Sequence, residues 1–402
     1  MKSSVESYAT PETSIDSLMD DHPAQSFSDY DHVTWYVSNA KQVSSYFCAR
    51  FGFREIAYRG LETGSKDIAS HVVQLGATVM VFTSALRARA SLPQNTALVQ
   101  EIHDHVTSHG DAVKDVAFAC EDVDGVFQAA LQGGAQMVYG PHVHSDKLGK
   151  VHTATIKALG DVTHTFINRT SYKASFLPGF SEPLTMQPYI DTLLGDTGIH
   201  RLDHCVSNQG WNEMDEACKF YEQALGFHKF WSVDDKQVCT EFSALRSTVM
   251  ASRNNRIKMP VNEPAEGVRR SQVEEFVDFN NGPGIQHLAF QTDNIIETIT
   301  NLRQRGVDFI KIPRTYYDIL HEHLSHSTVN IREDLQVLQD LDILVDFDDN
   351  GYLLQLFSKP LSDRPTVFIE IIQRENFDGF GAGNFKSLFE SIEQDQSLRG
   401  TL

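Results

Sequence analysis

The chain has 402 residues, enough for roughly two or three domains with apolar cores. Its 34 Lys and Arg against 54 Asp and Glu give a net charge of -20, which argues against nucleic acid or an anionic membrane as a partner. The five cysteines are scattered without a Cys-x-x-Cys pair, and no membrane span or signal peptide is recognisable, so we expect a cytoplasmic protein without disulfides.

Composition divides the chain into four segments. Residues 1–28 are rich in Ser, Thr, Asp and Pro and poor in apolar residues, which predicts a flexible arm. Residues 171–198 contain closely spaced prolines, which are typical of a linker. We therefore predict a first domain over 29–170 and a second over 199–402.

The two predicted domains repeat one another. The first opens with Asp31-His32-Val33 and continues to Phe51-Gly52-Phe53, and the second opens with Asp203-His204-Cys205 and continues to Leu225-Gly226-Phe227. A second pair of similar strands, 113–118 and 285–290, divides each half again. The sequence therefore predicts four modules of the βαβββ type, an α+β fold in which the sheets form two half-open barrels.

Local patterns agree with these modules. Residues 72–75 and 78–82 are β-branched and apolar, as is typical of strands. Residues 297–305 are amphipathic and are followed by Gly306, which predicts a short helix that ends at the glycine.

Three residues of the second half, His204, His287 and Glu370, are equally spaced along the chain, each in a predicted strand. Two imidazoles and a carboxylate on one face of an octahedral metal leave three open positions, which suits Fe(II) that binds a chelating substrate and O₂. The alternatives are ordinary core histidines, and a buried glutamate paired with Arg374 on the same strand.

The internal repeat indicates that only one half has this set. At the positions that match the three candidate ligands, the first half has His32, Asp115 and Thr165. We therefore expect the first domain to lack the metal.

Six separated motifs together resemble the 4-hydroxyphenylpyruvate dioxygenases, a family of the vicinal oxygen chelate superfamily, and the likeness extends from about residue 31 to 402. They are LDHCV at 202–206, FWSVDD at 230–235, GIQH at 284–287, GYLLQLF at 351–357, RPTVFIE at 364–370 and GFGAGNF at 379–385.

This resemblance implies an enzyme that converts 4-hydroxyphenylpyruvate and O₂ to homogentisate and CO₂, a step of tyrosine and phenylalanine catabolism. It implies one Fe(II) per chain on His204, His287 and Glu370, and a homodimer. The remaining implied site residues contact the substrate. They are Gln286, Gln355, Phe357 and Phe385 as catalytic residues, and Ser247, Asn262, Gln272, Phe380 and Asn384 as substrate-binding residues.

Two alternatives stay open at this point. One is 4-hydroxymandelate synthase, which uses the same substrate and metal but has a smaller aliphatic residue where this chain has Phe385. The other is a superfamily member that only binds a small molecule.

The C-terminal segment is predicted to form a helical lid over the metal site from about Asn384 to residue 396. Asn384 is a suitable N-cap, and an apolar stripe runs along one face while Lys386, Glu390 and Glu393 face water. The preceding glycine-rich segment 379–383 can absorb backbone rotation, as a lid requires.

Overall fold

The structure is a computed structural model that describes residues 27–89, 97–184, 193–233 and 244–401. Within these ranges the side chains of residues 233, 244, 382 and 385–389 are not described.

The first half of the described chain forms one eight-stranded sheet with its own helices. The strands are β1 (Phe27–Tyr36), β2 (Arg54–Arg59), β3 (Ile68–Leu75), β4 (Thr78–Ala85), β5 (Ala112–Cys120), β6 (Met137–Asp146), β7 (Gly149–Lys157) and β8 (Thr163–Asn168). They lie in the order β2-β3-β4-β1-β5-β8-β7-β6. The helices are α1 (Ala40–Phe51), α2 (Ala97–His109) and α3 (Val123–Gln132).

The second half repeats this topology. Its strands are β9 (Ile199–Asn208), β10 (His228–Val233), β11 (Ala244–Ala251), β12 (Lys258–Ala265), β13 (Gly284–Thr292), β14 (Leu344–Phe347), β15 (Tyr352–Phe357) and β16 (Phe368–Glu375). They lie in the order β10-β11-β12-β9-β13-β16-β15-β14. The helices are α4 (Met214–Leu225), α5 (Gln272–Phe279), α6 (Ile295–Gln304), α7 (Arg314–Ser325), α8 (Leu335–Asp340) and α9 (Phe385–Arg399).

The two sheets confirm the predicted fold of four βαβββ modules in two half-open barrels. Each strand of the first sheet has a counterpart eight positions later in the second, and the two strand orders are identical after that shift. The predicted strands at 72–75 and 78–82 are the adjacent parts of β3 and β4, which pair antiparallel. The predicted helix at 297–305 is α6, which begins two residues earlier because Asn294 caps it by accepting a hydrogen bond from the Glu297 backbone N–H.

The two halves share one apolar core. Phe27 of β1 packs edge-on against Phe227, with ring centroids 5.9 Å apart, and the rings of Phe53 and Phe290 are 5.8 Å apart. At the end of α3, Gly133 lies directly against the backbone of α4, where a side chain would have no room. Close packing of this kind fixes the two halves relative to each other.

Contacts of the first sheet extend to both sides of the predicted first domain. β1 begins at Phe27, which is buried, so the first sheet already includes the last two residues of the predicted arm, while residues 1–26 lie outside the described residues. In the predicted linker, Phe176 is buried and its ring packs edge-on against His32 at 5.1 Å, so the start of this segment covers the first sheet. No helix in the described ranges is long and apolar enough to span a membrane.

Candidate metal centre

Three buried ligating side chains meet on one face of the second sheet. His204 lies on β9, His287 on β13 and Glu370 on β16, and these strands are neighbours. One ligand atom of each lies within 4.8 Å of the other two. His204 Nε2 is 3.1 Å from Glu370 Oε2, and His287 Nε2 is 3.4 Å from the same oxygen. Among the described residues, this is the one group of three or more His, Cys, Asp or Glu with such convergence.

The register of the sheet explains why these residues converge. Ala289 of β13 pairs with His204 on one side and with Glu370 on the other, so the three residues form one row across the sheet. Side chains alternate between faces along a strand, and His287, two residues from Ala289, therefore points to the same face as the row. Two imidazoles and one carboxylate are thus held by backbone hydrogen bonding rather than by a loop.

A β-bulge places a fourth polar side chain beside the ligands. The pairing of β13 with β9 shifts between Ile285 and His287, which leaves Gln286 without a direct partner. Such a bulge redirects side chains next to a site. Gln286 and His287 consequently both line the cavity, although they are adjacent in the chain.

The Nδ1 atom of each imidazole, the outer ring nitrogen, lies at hydrogen-bond distance from a neighbouring side-chain oxygen. Asp203 Oδ1 is 2.7 Å from His204 Nδ1, and Gln286 Oε1 is 3.0 Å from His287 Nδ1. Arg374 donates two hydrogen bonds to the Asp203 carboxylate, from Nε at 3.0 Å and from Nη2 at 2.9 Å. The alternative in which Arg374 neutralises Glu370 is therefore wrong, because this guanidinium is paired with the aspartate behind His204.

The electrostatics of the cluster favour an ionised carboxylate. Burial alone would raise the pKa of Glu370, but His204 and then His287 outweigh this effect and lower the pKa to about 2. Burial likewise opposes the charged form of His204, yet Glu370 and Asp203 raise its pKa. Burial lowers the pKa of His287. The cluster therefore combines one anionic oxygen with two imidazoles whose Nε2 atoms face it.

This arrangement fits a divalent transition metal. The ligand set of two histidines and one carboxylate is typical of non-haem iron oxygenases. Oxygen partners on the outer ring nitrogens are the usual support of metal-bound histidines, because they fix the ring orientation. Both features are present here for His204 and for His287.

Most of the predicted pocket residues line the same small cavity as the three ligands. Its volume is about 50 Å³, well below the ~300–1,000 Å³ of typical ligand pockets. The predicted residues that line it are Ser247, Asn262, Gln272, Gln286, Gln355, Phe357 and Phe380.

The aromatic walls contact the ligands directly. The ring of Phe380 meets His204 edge-on, with centroids 5.2 Å apart, and Phe357 meets His287 edge-on at 6.0 Å. Gln355, two residues before Phe357 on β15, is buried, and its Nε2 has no hydrogen-bond partner among the described residues. A buried amide N–H without a partner is costly, so this group is available to a ligand in the cavity.

Two predicted site residues at the start of the terminal helix are not among the described residues that line the cavity. Asn384 does not line the cavity and does not cap α9 with its side chain, because its Oδ1 accepts a hydrogen bond from the Tyr316 hydroxyl at 2.8 Å. The backbone of Phe385 begins α9, but its side chain lies outside the described residues.

The terminal helix differs from the predicted lid in its length and in one face. α9 extends to Arg399, three residues beyond the predicted end. Glu390 is exposed as predicted, but Glu393 is buried, so the prediction that it faces water is wrong. The C-terminal end is anchored instead, because Arg399 forms an ion pair with the buried Glu275 of α5 at 2.8 Å.

The sequence interpretation missed several residues of the site. Phe368 lines the cavity and stacks on the His287 imidazole, with centroids 4.8 Å apart. Strand alternation could have found it, because Phe368 and Glu370 point to the same face of β16. Asp203 also carried a signal, since an Asp-His pair opens both halves. Pro260, which lines the cavity from β12, had no such signal.

Known proteins similar to this chain include one superfamily, several enzymes and a solved structure. Residues 201–356 match the Glyoxalase/Bleomycin resistance protein/Dioxygenase superfamily. The chain is 55% identical over 381 residues to 4-hydroxyphenylpyruvate dioxygenase of Aspergillus fumigatus, covering 94% of each chain. It is 48% identical over 377 residues to the Danio rerio protein of the same name, covering 94% of this chain and 92% of that one. Among solved structures, a mutant of 4-hydroxymandelate synthase from Streptomyces coelicolor has a TM-score of 0.77 at 28% identity, covering 92% of this chain and 99% of that one.

Proposed function

This chain belongs to the 4-hydroxyphenylpyruvate dioxygenase family, and on that premise we propose that it converts 4-hydroxyphenylpyruvate and O₂ to homogentisate and CO₂ in tyrosine and phenylalanine catabolism. The observation that carries the proposal is the convergence of His204, His287 and Glu370 inside a cavity whose other walls include polar amides and phenylalanines. The polar amides suit the 2-oxo acid group of the substrate, and the phenylalanines suit its phenol ring.

We propose that His204, His287 and Glu370 hold one Fe(II) per chain. When bound there, Fe(II) supplies open coordination positions for the 2-oxo acid of the substrate and for O₂. Asp203 and Gln286 keep the Nε2 atoms of the two imidazoles turned toward the metal position.

The polar residues orient the substrate. Gln355 offers its unpartnered Nε2–H as a donor to a substrate oxygen, and the Ser247, Asn262 and Gln272 side chains supply further polar groups along the cavity. Correct orientation matters because the ring carbon that bears the side chain must lie beside the metal position for hydroxylation and side-chain migration.

The apolar residues pack on the substrate ring and exclude water. Phe357, Phe368 and Phe380 surround the imidazoles, and we propose that Phe385 completes the wall from α9. Because the cavity of about 50 Å³ is small for the substrate, we propose that α9 acts as a lid that moves to admit it.

Oxygen uptake with product analysis tests the function. We expect Fe(II)-dependent O₂ consumption with 4-hydroxyphenylpyruvate and homogentisate as the product. The alternative activity, 4-hydroxymandelate synthesis, has a solved structural relative and would yield 4-hydroxymandelate instead. Substrate binding without O₂ consumption would indicate a member that only binds the compound. Either result would overturn the proposal.

We also propose that the protein is a homodimer in the cytoplasm. The edge strand β6 is exposed along almost its whole length, and it presents Met137, Tyr139 and Val143 to solvent, which supports an interface there. No disulfide joins the cysteines of the described chain, which supports a reducing compartment. Light scattering should give twice the chain mass for the parent and a lower mass for Val143→Lys.

A further inference from the structure

Lys258 is a buried lysine beside the metal cavity that the proposed function does not use. It begins β12, and the residues two and four positions later on that strand, Pro260 and Asn262, line the cavity. Side chains two residues apart point to the same face of a strand, so Lys258 lies on the face that continues the cavity wall. The residue is only 6% exposed. An ammonium group buried at this position needs a reason, because burial disfavours a charge.

The ammonium group of Lys258 contacts aromatic rings rather than a carboxylate. Its Nζ lies 5.2 Å from the ring centroid of Phe230 and 5.9 Å from that of Phe380. Within the described ranges, Nζ forms neither a hydrogen bond nor an ion pair. Burial lowers the pKa of Lys258, and the charge of Asp203 opposes this effect. Cation–π contacts are strongest where water is excluded, as it is here.

Phe380 forms part of the cavity wall from a segment without regular secondary structure. It lines the cavity and meets the His204 imidazole edge-on, with ring centroids 5.2 Å apart. Gly379 and Gly381 flank it, and Gly381 has a φ of 75°, which residues with a side chain rarely adopt. The backbone around Phe380 is therefore free to rotate, and the contacts of the ring itself decide where the ring lies.

Two cations lie next to the Phe380 ring. Arg374 Cζ is 5.1 Å from its centroid, and Lys258 Nζ is 5.9 Å away. The rings of Phe230 and Trp231 complete the surroundings, at 6.1 and 5.8 Å. Arg374 also forms a buried ion pair, whereas the charge of Lys258 contacts only the two phenylalanine rings. Lys258 is therefore the cation whose described contacts serve the aromatic wall alone.

The first half of the chain fixes the backbone of Lys258. The Tyr30 hydroxyl donates a hydrogen bond to the Lys258 carbonyl at 2.6 Å and accepts one from the Lys258 backbone N–H at 3.0 Å. Tyr30 belongs to β1, so a side chain of one half holds a strand end of the other. The long Lys258 side chain consequently extends toward Phe380 from a fixed origin.

From these contacts we propose that Lys258 is a positioning residue that holds the Phe380 ring in the wall of the metal cavity. The inference rests on the proposed function, because that function assigns Phe380 to the substrate ring. Lys258 acts through Phe380 and not by touching the substrate. Without Lys258, Phe380 is in place for only a fraction of the time, and the apparent affinity for the substrate falls by that fraction.

Fluorescence of Trp231 tests the contact without metal or substrate. Trp211→Phe, introduced into all proteins, removes an exposed tryptophan and leaves Trp231 and the buried Trp35. In the metal-free protein, Lys258→Met should increase the quenching of Trp231 by acrylamide, because the neighbouring Phe380 ring moves away. Lys258→Arg keeps a cation and should restore the parent quenching.

Anaerobic calorimetry of the Fe(II)-loaded protein with 4-hydroxyphenylpyruvate tests the consequence. Lys258→Met should weaken binding by about 3–30-fold, the range that corresponds to a partly or fully desolvated cation–π contact. Lys258→Arg should bind like the parent, and so should Arg256→Met, which removes an exposed cation two residues earlier. In turnover, KM should rise by a similar factor while kcat is kept, because bound substrate holds Phe380 in place.

A double-mutant cycle shows whether Lys258 acts through Phe380. In a Phe380→Ala background, Lys258→Met should weaken substrate binding by less than about twofold, the usual limit for independent sites. If the two single effects multiply instead, Lys258 acts without Phe380 and the proposal is overturned.

Two other results would overturn the proposal. The first is unchanged quenching of Trp231 in Lys258→Met. The second is a lower melting temperature of Lys258→Met with reduced kcat and unchanged KM, which indicates a structural role; removal of a buried charge should instead leave the melting temperature equal or higher. A parent protein that does not bind 4-hydroxyphenylpyruvate would refute the proposed function, and the quenching experiment then decides the inference by itself.

Discussion

The buried ion pair behind His204 gives the sharpest prediction on stability. Arg374 and Asp203 are joined by two hydrogen bonds of 3.0 and 2.9 Å, and their side chains are only 8% and 2% exposed. Arg374→Met keeps much of the volume but leaves the aspartate charge buried without its partner. Burial would raise the pKa of Asp203, and at present Arg374 and then His204 hold that pKa well below its usual range.

We expect Arg374→Met to lower the free energy of unfolding by about 3–5 kcal/mol, the usual cost of breaking a buried pair from one side. It should also weaken metal binding about 10–100-fold, because Asp203 would no longer be fixed against His204. Urea unfolding of the metal-free protein, followed by circular dichroism, measures the first effect, and titration with Fe(II) under anaerobic conditions measures the second.

Two further variants make this test specific. Arg87→Met breaks an exposed pair with Asp67, whose side chains are 43% and 51% exposed, and should cost no more than about 1 kcal/mol. Adding Asp203→Asn to Arg374→Met removes the unpaired charge and should recover part of the lost stability. The reasoning fails if Arg374→Met costs no more than Arg87→Met, or if the double variant is less stable than Arg374→Met alone.

Three other predictions concern α9 and its approach. Phe385→Ile should give 4-hydroxymandelate beside homogentisate, because a smaller wall lets the substrate ring tilt, and chromatography that detects homogentisate alone at the parent rate would exclude Phe385 from the site. Deleting the chain after Gly383 should uncouple O₂ consumption from homogentisate formation, since the lid is lost, and an unchanged ratio of the two would argue against a lid. Asp346 accepts a hydrogen bond from the Gly383 backbone N–H, and burial raises the pKa of its carboxyl group to about 6. Between about pH 4 and 6 the native state therefore binds more protons than the unfolded chain. The free energy of unfolding consequently falls as the pH rises through that window. Asp346→Asn should flatten this fall in the melting temperature, and an unaltered pH profile would contradict the assignment.

The sequence predicted the features that follow from strand periodicity and from the repeat. Glu370 was recognisable because a carboxylate within an apolar strand needs a partner, and the matching position of Thr165 showed that the two halves differ there. The row of ligands then follows from the period of two along each strand. Each of these features depends on a short stretch of sequence, so it can be predicted without knowing the tertiary contacts.

Other features depend on contacts between distant segments. The bulge at Gln286 has no marker in the sequence, because it arises where β13 adapts to β9. Glu393 belongs by its spacing to the polar face of α9, yet the helix packs so that this residue is buried. Arg374 and Glu370 lie on the same strand, which suggested an ion pair between them. In the folded protein, Arg374 instead donates to Asp203 on another strand. In each case tertiary packing overrides the local pattern.

The most direct test of the metal centre is the iron content of two glutamate variants on one strand. Glu370→Gln keeps the shape of a proposed ligand and removes its charge, while Glu375→Gln changes a partly exposed residue at the end of β16. After anaerobic loading with Fe(II) and desalting, we expect close to one iron per chain for the parent and for Glu375→Gln. Glu370→Gln should retain little iron and form no homogentisate. Full iron and parent-level homogentisate formation in Glu370→Gln would contradict the assignment of Glu370 as a metal ligand.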